Sequence, residues 1–506
     1  MFKGIYPRSF QGWVASAILL LAMGCQSSSH QGTANRIQLS PANINLIFVV
    51  SQDLAHNSGD INTTTANLNP RGLNQAMGLA TYLQSTLLNN ANVTGIYALE
   101  PATHLQATSE YQDLPDMVPL EIAEQFAMIN QFSINAPAGT TPTFYRDYSY
   151  PINVCYTPAS LPTGVDIPLA FIPTSQGIDF ADRSGGNEAL VNGIIAKGQG
   201  GFYVFVLPFE LFRALLGNLK TQNAYDYQMP VAWEGSNILY ALTIPPSGPE
   251  TLNTFDSQSN PVSSYPVPVP APAMTTSSVQ APFEIATAKQ AGSTVPQDSN
   301  TNQTVYLIRH AEAHPTSYWE DGNLVYPGLV RARYLPVALE GKIKLPDFVY
   351  AVDPAQYIPG GVDSSNPTNH LYSYIRTSQT VALYAIANGI PFYVATSVQW
   401  GGLTNEEDAA VVASAAKFFF TGGQFSHKTL LICWEHYHIP LVGQALVDTY
   451  FAPGESPQVP LPAAWLGSDY DTIWTFVLDS SGHLTLSNAT VEGIRSDSLP
   501  LMPPGQ

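Results

Sequence analysis

Positive charge is what this sequence has least of. Of 506 residues, 19 are Lys or Arg against 38 Asp or Glu, so the formal net charge is −19. A polyanion is held by clustered cations, and that scarcity argues against a nucleic-acid surface. It leaves room for a small anionic ligand, which needs only a few cations in one pocket. Cysteine is as scarce. Cys25, Cys155 and Cys433 are too few for a disulfide framework, and no Cys/His spacing of metal-binding type is visible. Cys433 ends the apolar run from Thr429 and reads as a buried thiol. The apolar run Trp13 to Met23 falls short of the roughly 20 residues a spanning helix needs.

What is present supports packed globular domains: hydrophobic residues make up 45% of the chain, with 26 Tyr and 22 Phe. At about 150 residues per domain, the length suggests two to four. Lys3 and Arg8 precede the short apolar run, which closes on Leu21-Ala22-Met23-Gly24-Cys25 and turns polar at Gln26-Ser27-Ser28-Ser29. This segment resembles a bacterial lipoprotein signal. The resemblance implies a signal peptide over 1–24, a lipid on Cys25, a polar tether over 25–40 and a membrane anchor. With Gln26 after the cysteine, it implies the outer membrane of a bacterial cell envelope. The alternative is an ordinary secretory peptide and a secreted or periplasmic protein.

Residues 246–303 include the run Pro266-Val267-Pro268-Val269-Pro270-Ala271-Pro272 and polar stretches, which read as an extended linker with little means of packing. The segments on either side, 41–245 and 304–490, share landmarks in order. Ile44 to Val50 matches Val305 to Ile308, each an apolar strand signal. Leu68-Asn69-Pro70-Arg71-Gly72 matches Leu324-Val325-Tyr326-Pro327-Gly328. Tyr97-Ala98-Leu99-Glu100-Pro101 matches Tyr350-Ala351-Val352-Asp353-Pro354. Ala232-Trp233-Glu234-Gly235-Ser236 matches Ala464-Trp465-Leu466-Gly467-Ser468. Four matches in register argue for a tandem duplication. Strands alternating with helical stretches argue for α/β layers, in which ligands bind beyond the carboxyl ends of strands. Arg309 and His310 stand just past such an end.

Val305-Tyr306-Leu307-Ile308-Arg309-His310-Ala311-Glu312 resembles the first-strand signature of the histidine phosphatase, or phosphoglycerate-mutase-like, superfamily, with Ala311 where Gly is usual. Ser373 to Thr380, containing Arg376, resembles the exit of the family's second strand. Leu430 to His436 resembles the strand delivering its second histidine. The resemblance implies two tandem three-layer α/β/α domains and a small phosphorylated substrate. It makes His310 the nucleophile and places Arg309, Arg376 and His436 around the phosphate. It requires no metal or organic cofactor.

The chemistry asks for the same residue types. A phosphoryl group in flight carries charge on three oxygens, and Arg binds them in bidentate fashion without losing its proton. The leaving alcohol needs an acid. Glu406 and Glu407 lie in the appropriate interval at a helix start, with Glu407 slightly preferred, and Glu435 beside His436 is the third candidate. Arg331 and Arg333 read as a solvated helix face. His314 and His56, matched across the halves, read as structural.

The first half has Ser51-Gln52 where the second has Arg309-His310. It has no Lys or Arg between Arg71 and Arg146, and Phe209 falls about where His436 would. It reads as a non-catalytic copy in contact with the catalytic one. The residues 491–506 read as a C-terminal tail. The reading from another class is a surface lipoprotein that uses both domains only for binding.

Overall fold

The computed structural model describes residues 38–129, 150–163, 165, 177–313, 320–360, 370–395 and 405–501. The expected signal segment, Cys25 and His314 lie outside these. In the first half the chain forms β1 (Ile44–Ser51), α1 (Pro70–Tyr82), β2 (Gly95–Ala98), β3 (Leu105–Gln106), β4 (Leu114–Pro115), α2 (Val118–Ile129) and β5 (Ile152–Asn153). It continues through α3 (Gly186–Lys197), β6 (Gly201–Pro208), α4 (Phe209–Asn223), β7 (Ile238–Ile244) and β8 (Thr251–Asp256). The second half forms β9 (Glu284–Ala286), β10 (Gln303–Arg309), α5 (Tyr326–Leu339), β11 (Phe348–Val352), β12 (Tyr357–Gly360), β13 (His370–Ser373) and α6 (Arg376–Asn388). It ends with β14 (Phe392–Ala395), α7 (Asn405–Phe420), β15 (Thr429–Trp434), α8 (His438–Asp448), β16 (Thr472–Leu478) and β17 (Leu484–Val491).

Two mixed α/β sheets result. The first runs β5-β2-β6-β1-β7-β8 and the second β14-β11-β15-β10-β16-β17-β9. In each, the four leading strands are parallel and the rest antiparallel. The strands β1, β6 and β10 are buried along their whole length. Strands covered on both faces cannot alternate with polar residues, which is why they stand out as unbroken apolar runs. Residues Gln38–Gln506 form one compact unit. Side chains of α1, α2, α5 and α6 share one core cluster with the inward faces of both sheets. Asn67 Nδ2 donates to Ile390 O at 2.9 Å, Asn323 Nδ2 to Tyr150 O at 2.6 Å and Val154 N to Ser373 Oγ at 2.9 Å, which ties the halves together.

The glycines of the matched helix starts have a steric cause. A Cβ on Gly72 would stand 2.0 Å from Asp60 O, and one on Gly328 would stand 2.2 Å from Glu312 O. No side chain fits at either place, so each helix can approach the loop before it only with Gly there.

Three expectations need correction. The span 246–303 is packed. Its β8 and β9 extend the two sheets, Tyr265 Oη donates to Arg333 O at 3.0 Å, and Thr275 N donates to Gly493 O at 2.7 Å. Proline removes donors from part of the span only, and the backbone between the prolines still pairs. The segment after 490 is likewise packed as far as Leu499, with Ile494 and Leu499 buried.

Arg331 is not solvated. It is 1% exposed, and Arg333 is half-buried. Arg331 Nε lies 3.0 Å from both Glu312 carboxylate oxygens, Nη1 lies 2.8 Å from Glu492 Oε2, and Nη2 donates to Ile494 O and Ser496 Oγ. The network clamps Glu312, two residues past His310, to the chain end. Removing one member leaves buried charge unpaired. Arg331→Met is therefore expected to lower unfolding free energy by about 3–5 kcal/mol in urea titrations. A loss under about 1 kcal/mol, the scale of a surface pair, would contradict the burial.

Candidate active site

Four of the residues singled out in the second half come together. Arg309 ends β10, His310 follows it, Arg376 opens α6, and His436 lies two residues past the end of β15. His310 N donates to Trp434 O at 2.8 Å, which carries the parallel ladder one residue beyond the strand. The imidazole is therefore held by backbone at the carboxyl end of the sheet, beside the N-terminus of α6, where anions are favoured.

The His310 tautomer follows from its partner. Nδ1 lies 2.7 Å from Ala311 O, and a carbonyl can only accept, so Nδ1 carries the proton and Nε2 the lone pair. Burial, then Arg376 and Arg309, push its pKa well below the ordinary value of 6.5. The ring is neutral at ordinary pH, with its Nε2 lone pair available. Ala311 N donates to Thr380 Oγ1 at 3.0 Å, so the small residue after the histidine is pinned to α6.

Arg309 Nη1 donates to Gly467 O at 2.7 Å and Asp469 O at 3.1 Å, and its guanidinium lies 3.9 Å from the centre of the Tyr470 ring. Trp465 Nε1 donates to the same Asp469 carbonyl at 2.8 Å. The matched Trp-Gly-Ser landmark thus builds the loop that aims Arg309. Burial lowers the Arg309 pKa somewhat. In Arg376 burial is again the largest influence and works the same way, but Glu320, Tyr374 and Asp321 together outweigh it and the pKa is raised. Arg376 pairs with Glu320, whose Oε1 accepts from Gly322 N at 2.7 Å. The pKa of His436 is pushed down to about 4 by burial and by Arg309, against a smaller opposing pull from Glu435.

Several buried polar atoms here have no hydrogen-bond partner among the described residues. They are Arg309 Nε, Arg376 Nε, His436 Nδ1 and the Tyr374 hydroxyl. Tyr374 is fully buried, its ring edge-on to His310 with centroids 6.4 Å apart, and Arg376 lies 5.1 Å over it. Unpaired buried donors are costly. All four belong to residues whose charge or ring bears on His310, and an oxyanion is a group that would satisfy them.

Of the three acids, Glu435 is committed elsewhere. It accepts from Tyr437 N at 2.6 Å and His438 N at 2.7 Å and bonds His438 Nδ1, which caps the start of α8. The helix α7 begins at Asn405, so Glu406 and Glu407 lie in its first turn, but their side chains fall outside the described residues. Glu320, Tyr374 and Tyr470 were missed in the sequence. Tyr374 stands two residues before Arg376 and Tyr470 five past Trp465, and no periodicity marks either.

In the first half the register moves the correspondence by one residue. Val49, Ala98 and Val206 face the shared helices, as Ile308, Ala351 and Cys433 do. Val50 pairs with Leu207 as Arg309 pairs with Trp434. Val50 and Ser51, rather than Ser51 and Gln52, therefore stand where Arg309 and His310 stand, and Phe209 stands where His436 does. Leu68 N donates to Glu121 Oε2 as Leu324 N donates to Gln379 Oε1, which puts Val118 in the place of Arg376 and Asp116 in that of Tyr374.

No protein-family model and no curated protein matches this sequence. Solved structures do. A structure described as an alpha-ribazole-5′-P phosphatase from Escherichia coli matches at 14% identity over 38% of this chain and 99% of its own, with a TM-score of 0.25. One described as the phosphohistidine phosphatase SixA from Nakamurella multipartitia matches at 18% identity over 39% and 90%, with a TM-score of 0.21. A mycobacterial glucosyl-3-phosphoglycerate phosphatase bound to inorganic phosphate matches at 13% over 36% and 94%, with a TM-score of 0.22. Likenesses this distant leave the functional case to the site itself.

Proposed function

We propose that this chain is a phosphomonoester hydrolase whose second half works through a phosphohistidine on His310. The observation that carries the reading is the ring of unpartnered buried polar atoms on Arg309, Arg376, His436 and Tyr374 around a neutral imidazole with its Nε2 lone pair free. The two guanidiniums hold the phosphoryl oxygens, and Nε2 attacks phosphorus in line with the ester oxygen. The N–P bond forms as the P–O bond breaks, and the departing alcohol takes a proton from a carboxylic acid, for which Glu407 is proposed. Water then attacks phosphorus, the N–P bond breaks, and inorganic phosphate leaves with Nε2 restored.

The matching strand orders support descent of the two halves from one duplicated domain. With Val50, Ser51, Val118 and Phe209 in the corresponding places, the first half lacks clamp and nucleophile alike and takes no part in the chemistry. Export through a lipid on Cys25 belongs to the same proposal. Membrane fractionation tests it, with Cys25→Ser expected to remain unprocessed.

A panel of phosphomonoesters tests the activity, and its pH dependence tests the site. The kcat/KM profile reports the free enzyme. A histidine whose pKa is lowered is neutral at all pH values above that lowered pKa, so activity requiring neutral His310 is retained as pH falls through 6.5. The acid limb is expected well below pH 6.5. A limb centred between pH 6 and 7 would show an unperturbed imidazole and contradict this electrostatic account.

A further inference from the structure

We propose that the first half binds a divalent transition-metal cation, such as zinc, through Asp53, His56 and Glu210, at the strand ends where the second half holds its two arginines. The inference stands independently of the phosphatase reading.

One ligand atom from each of the three residues lies within 4.8 Å of the others. His56 Nδ1 is 3.4 Å from Asp53 Oδ2 and 3.4 Å from Glu210 Oε1. Ligands bonded at about 2.0–2.1 Å to a tetrahedral zinc stand roughly 3.4 Å apart. The cluster is thus spaced for an ion to enter with little movement. Asp53 is already oriented: its Oδ1 accepts from Ala55 N at 2.8 Å and His56 N at 2.6 Å and lies 3.2 Å from His56 Nδ1, with Oδ2 at 3.4 Å. The His56 ring lies against Phe209, with centroids 5.4 Å apart, and Phe209 stands where His436 does.

A second observation points to a cation. Asp116, which stands in the place of Tyr374, is fully buried, and its Oδ1 has no hydrogen-bond partner among the described residues. Its Oδ2 lies 2.8 Å from His104 Nδ1. Asp116 feels the charge of Asp53, and His104 feels both Asp53 and Glu210, so the buried pair lies within electrostatic reach of the cluster. Loss of the phosphate clamp has thus been accompanied by a change of sign: carboxylates and imidazoles line the place corresponding to the guanidiniums. Three protein ligands leave a coordination position for water or a further group. Asp53 and His56 stand three residues apart in one loop, but Glu210 comes from the start of α4, so no local spacing announces the trio.

The test is calorimetric titration of zinc chloride into the chelator-stripped full chain, with a thermal shift alongside. One equivalent is expected to bind and raise Tm. Glu210→Gln, at a half-exposed side chain whose loss does not threaten folding, should weaken binding roughly tenfold or more, and His56→Ala should do the same. The His310→Ala variant should bind as the unaltered protein does. Absence of binding, equal affinity in Glu210→Gln, or loss of binding in His310→Ala would each overturn the proposal. If His56→Ala fails to fold, Glu210→Gln alone decides.

Discussion

Replacing His310 with Ala is expected to lower phosphomonoester turnover by roughly 10⁴-fold or more, the scale on which covalent catalysis collapses when its nucleophile is removed. His310 Nε2 carries the lone pair, freed by the Nδ1 bond to Ala311 O, and both guanidiniums act on the ring. In the proposed mechanism both half-reactions pass through it, since one forms the N–P bond and the other breaks it. The clamp remains in the variant, so KM should change far less than kcat. The ring is buried and its one side-chain bond is to a neighbouring carbonyl, so truncation leaves a small cavity rather than an unpaired charge. Thermal unfolding should confirm a folded variant. A loss of less than about tenfold in folded protein, below even the usual contribution of a single acid–base group, would make His310 a bystander.

Arg376→Ala is expected to lower kcat/KM by roughly a hundredfold or more, the cost of losing one preorganised donor to a developing oxyanion. A second effect works in the same direction, because Arg376 also pairs with Glu320. Its removal leaves a buried carboxylate beside the phosphate position, and like-charge repulsion adds to the loss. Vanadate inhibition should weaken in parallel. The Arg376→Ala, Glu320→Gln double variant should recover part of the deficit, because the repulsion is gone while the donor remains absent. Kinetics near those of the unaltered protein in Arg376→Ala would place the phosphate elsewhere.

What the sequence made legible was backbone-driven. The strands β1, β10 and β15 are interior to their sheets and show as unbroken apolar runs. Gly72 and Gly328 are forced by carbonyls 2.0 and 2.2 Å from any Cβ, so the helix starts could be matched across the halves. Arg309, His310, Arg376 and His436 were legible because each follows a strand or opens a helix.

What failed depended on distant partners. Arg331 has the appearance of a surface charge until Glu492, 161 residues away, is seen beside it. The strand β9 joins the second sheet by backbone pairing with β17, which its side chains do not advertise. The one-residue error at Ser51 came from matching polar residues to polar residues; the pleat decides, because Ser51 shares its face with Val49. Tyr374 and Glu320 matter through His310 and Arg376, which they touch across the fold, and no local pattern encodes that.

Rapid quenching after brief exposure to a ³²P-labelled phosphomonoester, followed by peptide mapping, decides whether His310 carries a phosphoryl group. Up to one phosphoryl group per chain, acid-labile and base-stable, is expected on the peptide containing His310, and none in His310→Ala. Label persisting in that variant, or label mapping to the first half, would contradict the proposal.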